Sequence, residues 1–93
     1  MTGTQFDLEE EIALASVEVA EYKLVVFNDD VNTFDHVIKT LMEVCGHGPE
    51  QAEQCTYIIH FKGKCTVKTG DWEKMALMRN RLCHEGLSAE VTD

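Results

Sequence analysis

Between Phe27 and Asn28 the chain changes character within a single residue. Tyr22-Lys23-Leu24-Val25-Val26-Phe27 is a run rich in branched and aromatic side chains, the composition of a β-strand. Asn28-Asp29-Asp30 then ends it, because short amide and carboxylate side chains bond to nearby backbone and favour turns. Two carboxylates and an amide thus collect where a strand gives way to a helix. Such a group accepts hydrogen bonds and attracts positive charge, which suits a cation receptor better than a nucleophile's cradle. The plain alternative is a solvated turn that only redirects the chain.

Beyond the turn, helix signals recur at regular intervals. Asn32 or Thr33 can cap a helix, and Phe34, Val37, Ile38, Leu41, Met42 and Cys45 recur at spacings of three and four, an amphipathic stripe. Gly46 and Gly48 stop it. Pro49 suits the first turn of a second helix, where its missing N–H has no helical partner anyway. That helix is expected to reach about Ile59, with Ala52, Cys55, Thr56 and Ile59 on one face. Gly63 lies in a short turn before a brief strand, Cys65–Lys68. Thr69 or Asp71 can cap a third helix carrying Trp72, Met75, Ala76, Arg79, Leu82 and Cys83, and Gly86 ends it. Leu87 to Val91 then alternates enough for a closing strand. The order β-α-α-β-α-β predicts an α+β domain, a small three-stranded antiparallel sheet with three helices packed on one face.

Charge narrows the range of partners. Seventeen acidic against eight basic residues leave a net charge of −9, which argues against nucleic acid and anionic membranes. Six of the acidic residues fall within 1–21, where no Lys or Arg occurs. That stretch reads as a mobile acidic extension ahead of a core domain at 22–93, or as a solvated terminus without a role. A chain of 93 residues makes one domain, burying roughly 60–65% of the surface its unfolded chain exposes. No apolar stretch nears the roughly 20 residues a bilayer crossing needs, and no secretory signal opens the sequence. A cytoplasmic location is expected. Cys45, Cys55, Cys65 and Cys83 form no CxxC pair and read as reduced core thiols.

One further residue belongs with the turn. His60 follows the apolar pair Ile58-Ile59 near the end of the second helix, and packing both helices on one sheet would carry it towards Asn28–Asp30. Taken alone it is a helix-end histidine, favoured there by the helix's negative pole. His36, His47 and His84 have no such company and read as surface residues.

Lys-Leu-Val-Val-Phe-Asn-Asp-Asp at 23–30, the helix pair, and Ile-Ile-His at 58–60 resemble the ClpS adaptors, over about residues 22–91. These are recognition components of the N-degron pathway that hand substrates to a Clp-type AAA+ unfoldase and its peptidase. The resemblance implies that Asn28, Asp30 and His60 bind the free α-amino group of a substrate's first residue, with Asp29 shaping the turn. It implies that Phe27, Asn32, Phe34, Val37, Thr56, Ile59 and Leu87 line an apolar pocket for that residue's side chain (Leu, Phe, Tyr or Trp). The partner would be a ClpA- or ClpC-type unfoldase working with ClpP, docked near Asp71, and no cofactor or metal is implied. Thr33-Phe34 stands where the family usually has Pro-Met, a gate against β-branched side chains. Thr56 replaces a usual Met, making that wall smaller and more polar, and the stretch between Gly63 and Thr69 is shorter than usual.

Simple energetics agree with such a site. Burying a Leu- or Phe-sized side chain contributes about 1.5–3 kcal/mol, and a hydrogen bond to a charged group about as much. Both together are needed to overcome the entropy of association. Other functions fit less well. A hydrolase using Asp29 or Asp30 with His60 lacks an activated Ser or Cys and oxyanion-hole glycines. A metal module through Asp29, Asp30 and His60 matches neither zinc nor calcium spacing. A small acidic interaction domain without N-degron recognition is the remaining alternative.

Overall fold

The structure is a computed structural model that describes residues 21–93. Apart from Glu21, the expected acidic extension lies outside the described residues. Six elements run in order: β1 (Tyr22–Phe27), α1 (Phe34–Cys45), α2 (Pro49–Lys62), β2 (Lys64–Gly70), α3 (Trp72–His84) and β3 (Ser88–Thr92). The strands form one antiparallel sheet, ordered β2-β1-β3. This is the α+β arrangement expected from sequence. Helix α2 continues past Ile59 to Lys62, and β2 extends beyond Cys65–Lys68 at both ends.

The most apolar run takes the middle of the sheet, where both its edges are paired. Strand periodicity sends Leu24 and Val26 to the helix side, 0% and 1% exposed, while Lys23, Val25 and Phe27 face the other way. Each burial of that kind contributes about 1.5–3 kcal/mol relative to exposure. Val37, Leu41, Val44 and Cys45 of α1, Ala52 and Ile59 of α2, and Met75 and Leu82 of α3 complete the core with Val67 and Ala89. Helix α3 packs across all three strands, and α2 lies against α1 and β2.

Caps fix the helix starts. The Thr33 hydroxyl accepts the His36 N–H at 3.1 Å, and an Asp71 carboxylate oxygen accepts the Lys74 N–H at 2.8 Å. Both satisfy amides that a helix start leaves unpaired. Among the described residues no helix is long and apolar enough to cross a membrane.

His47 departs from the surface position expected of it. It is 4% exposed, and its Nε2 donates to the Val67 carbonyl at 2.7 Å, pinning the α1–α2 turn to β2. The other ring nitrogen, Nδ1, is buried without a hydrogen-bond partner. His36 is half-buried rather than free. The thiols also divide: Cys45 is buried, Cys55 and Cys65 are half-buried against the core, and Cys83 is exposed.

Candidate functional site

Strand β1 delivers Asn28 to the rim of a cleft between the start of α1 and the second half of α2. Asn32, Thr33, Phe34 and Val37 line one side, and Thr56, Ile59 and His60 the other. Asn28 and His60 therefore share a rim, the juxtaposition anticipated from sequence.

Backbone ties hold that rim in place. The Asn28 N–H donates to the Gly63 carbonyl at 2.8 Å, joining the first residue after β1 to the turn just beyond His60. Gly63 has φ +94°, a left-handed value that a side chain resists. On the α1 side, one Asp29 carboxylate oxygen accepts the Val31 and Asn32 N–H groups, each at 2.9 Å. The other accepts the Asn32 side-chain amide at 2.8 Å. That amide nitrogen has a second hydrogen, which it donates to the Gly86 carbonyl at 2.8 Å. His36 Nε2 donates to the neighbouring Glu85 carbonyl at 2.8 Å. The start of α1 is thus strapped to the turn that succeeds α3.

These bonds separate the two adjacent carboxylates. Burial pushes the Asp29 carboxyl up, but the Asn32 N–H, the Val31 N–H and the Asn32 side-chain amide together outweigh it, and its pKa is lowered. Asp29 is an anion already occupied in shaping the turn. Asp30, next to it, is exposed and has no part in this strapping.

The cleft is tight. Its free volume is about 20 Å³, room for a single water. Phe34 accounts for this, reaching from α1 to meet Tyr57 edge-on at 5.0 Å and 74°, and His60 at 5.3 Å and 75° between centroids. Thr56 is 2% exposed, and its hydroxyl donates to the Ala52 carbonyl at 2.7 Å. The wall it makes is small, but less polar than the residue type implied, because the hydroxyl hydrogen is engaged by its own helix.

Not every expected residue gathers here, and neither Asp29 nor Asp30 lines the cleft. Phe27 falls on the opposite sheet face, in an open groove with Lys23, Val25, Lys64 and Thr66, as period-two alternation requires. Leu87 is 4% exposed and belongs to the core cluster instead of the cleft lining. Asp71 sits at the far end of the sheet, where Tyr22 pairs with Gly70. Thr33, expected only as a cap and a departure from Pro, also lines the cleft. Tyr57 and Phe61 stand beside it without any expectation from the motifs. They are four apart on α2, a spacing that places them together on one helix face. Larger grooves exist, one of about 270 Å³ lined by Glu43, Leu77, Arg81 and His84, another of about 330 Å³ around Phe27. The first also holds an amide and an imidazole, Asn80 and His84, but neither groove includes Asn28 or His60. Among the described residues, no three His, Cys, Asp or Glu side chains group as a metal site would require.

Comparison with known proteins points one way. A family model described as ATP-dependent Clp protease adaptor protein ClpS matches residues 18–90. An adapter protein ClpS from Thermosynechococcus vestitus is 35% identical over 68 residues, 72% of this chain and 72% of the relative. One from Synechocystis is 37% identical over 68 residues, 72% of this chain and 69% of the relative. The solved structure of Agrobacterium tumefaciens ClpS2 bound to L-phenylalaninamide superposes with a TM-score of 0.67. It covers 76% of this chain and 93% of that chain, and at 17% identity the likeness is one of fold.

Proposed function

The chain belongs to the ClpS family of Clp protease adaptors, and from that membership we propose that it recognises the first residue of N-degron substrates. In this reading it binds the free α-amino group and a bulky hydrophobic side chain (Leu, Phe, Tyr or Trp). It then delivers the substrate to a ClpA- or ClpC-type AAA+ unfoldase for degradation by ClpP. The family is one of adaptors, so the chain is not an enzyme.

One observation carries the proposal: Asn28 and His60 stand on the rim of a slot into which Phe34, Val37 and Ile59 also face, with Asn32, Thr33 and Thr56 completing its walls. The Asn28 side-chain oxygen and an unprotonated imidazole nitrogen accept from the ammonium, and the Asp30 carboxylate supplies the compensating charge. Asp29, held by three donors, keeps the turn in shape rather than meeting the ligand. Phe34, Val37, Thr56 and Ile59 receive the side chain, with Asn32 at the edge.

A slot with room for one water does not admit a leucine side chain, so binding requires Phe34 to rotate. Its edge-on contacts with Tyr57 and His60 are each worth about 0.5–1.5 kcal/mol. The ligand's side chain replaces them, and a rotamer change of this kind needs no backbone rearrangement. The same rotation uncovers the imidazole edge, linking entry of the side chain to capture of the ammonium.

Acetylation removes the positive charge and two donors, leaving the rim's acceptors unpaired at a cost of about 1–3 kcal/mol. Fluorescence anisotropy with peptides beginning in Phe or Leu should give saturable binding for free amino termini and at least about tenfold weaker binding for acetylated copies. Equal affinity for both would end this reading.

A further inference from the structure

The proposed function employs Phe34 and His60 but leaves Tyr57 and Phe61 without a role. The four rings nevertheless form a closed circuit. Phe34 meets Tyr57 edge-on, and Tyr57 stacks on Phe61 at 5.9 Å with 3° between planes. Phe61 meets His60 at 5.0 Å and 81°, and His60 returns to Phe34. Tyr57 is 48% exposed and Phe61 73% exposed. Two parallel rings are therefore packed beside the slot while part of their apolar surface meets water.

We infer that the Tyr57–Phe61 pair is a shelf for the third side chain of the bound substrate and favours an aromatic or large apolar residue there. The inference rests on the function proposed above. Phe34 and His60 belong both to the slot and to the ring circuit, so slot and shelf are one continuous surface. In an extended peptide the first and third side chains point the same way, roughly 6.6 Å apart. The shelf lies at that reach, its rings centred 5.0 Å from Phe34 and from His60. The second side chain points away from the surface and is indifferent.

The opposite rim offers nothing comparable. Val31, 87% exposed, is a single aliphatic side chain on the Asp29 turn. Two rings already stacked on each other lose less rotamer freedom when a third joins them than two separate side chains would, so the contact needs less ordering. The shelf also compensates the Phe34 rotation, since a ring arriving against Tyr57 restores a contact that the rotation removes.

Three free-amino peptides, Phe-Gly-Gly-Ser, Phe-Gly-Trp-Ser and Phe-Trp-Gly-Ser, each with a C-terminal fluorophore, test this by anisotropy. The peptide with Trp third should bind about three- to tenfold tighter than the one with Gly third, and the one with Trp second should resemble the latter. Phe61→Ala should close that gap, read as a ratio within the variant so that any general loss cancels. Val31→Ala should leave the gap intact. A gap absent in the unaltered protein, unchanged in Phe61→Ala, or lost in Val31→Ala overturns the shelf. If no free-amino peptide binds at all, the proposed function fails and the shelf falls with it, an outcome distinct from binding without a gap.

Discussion

At its two ends, β1 meets similar residues put to different use. Beyond Phe27, Asp29 organises a turn by accepting three hydrogen bonds, and Asn28 faces His60 across a slot. At the Tyr22 end, strand pairing brings up Gly70, and the next residue, Asp71, organises another turn by capping α3. Tyr22 and Trp72 meet edge-on there at 5.6 Å and 66°. Both ends thus have a carboxylate committed to backbone amides and aromatic rings close by. At the Asn28 end α2 supplies a second wall, which in the proposed function turns a strapped loop into a receptor. An acidic turn after a strand is therefore no site by itself, and the opposing helix decides. Six residues of strand keep the ends about 20 Å apart. In the proposed function this separates the substrate from the unfoldase surface expected near Asp71, so the two partners need not compete.

Breaking the comparison starts with its largest consequence. Asp30→Ala should weaken binding of a free-amino Phe peptide at least about tenfold at low ionic strength, while Asp71→Ala should leave that affinity unaltered. Equal losses in the two variants would mean that the carboxylates act through overall charge rather than place. A second, smaller effect concerns stability. Asn32→Ala removes the amide that joins Asp29 to the Gly86 carbonyl, and urea unfolding should show a loss of about 1–2 kcal/mol. Gly86 stands at φ +95°, so this turn has few alternative shapes. No loss would show that the strap is decorative. Asp71→Ala should cost about 1 kcal/mol, the usual value of an N-cap.

Most of the fold was legible because local rules and the global arrangement agree. Of the two residues named for each cap, Thr33 rather than Asn32 and Asp71 rather than Thr69 do the capping, and the stripe from Val37 to Cys45 is the buried face of α1. Membership in the adaptor family was legible from the Asn-Asp-Asp and Ile-Ile-His segments. Parts of the expected pocket were not. Phe27 was expected in the pocket from the family resemblance, but alternation along β1 settles its face, and that alternation was already in the sequence. Leu87 immediately precedes β3 and enters the core. His47 was unreadable for a different reason: its partner is a backbone carbonyl on β2, twenty positions along the chain, and no side-chain pattern announces such a bond. Closure of the slot by Phe34 depends on ring orientations set by tertiary packing alone. The thiols lie in between. Burial, with the neighbouring Cys55, pushes Cys65 up to about 12, and burial pushes Cys45 up to about 11, so both are predominantly thiols at neutral pH. Iodoacetamide at pH 8 should label exposed Cys83 first, as peptide mass spectrometry would reveal; faster labelling of Cys45 would contradict its burial.

The smallest expected effect is confined to acid. Asp29 has a pKa below the ordinary 3.8, because amide donors outweigh its burial. A carboxyl depressed by folding contributes stability that is fully present above its unfolded value and lost as pH falls through its folded value. Asp29→Asn keeps the shape and removes the charge, so the gap in urea midpoint between the two proteins should be constant from pH 7 to about pH 5. It should narrow only below pH 4. A gap that closed near pH 6 would point to a histidine instead, and His36, which ties the same turn to Glu85, would be the group to replace next. A gap persisting undiminished at pH 2 would mean that the strap needs the second acceptor oxygen, which Asn replaces with an NH2 donor, and not the charge. Asp29 would then resemble a neutral hydrogen-bonding turn residue, and the electrostatic contrast between it and Asp30 would rest on exposure alone.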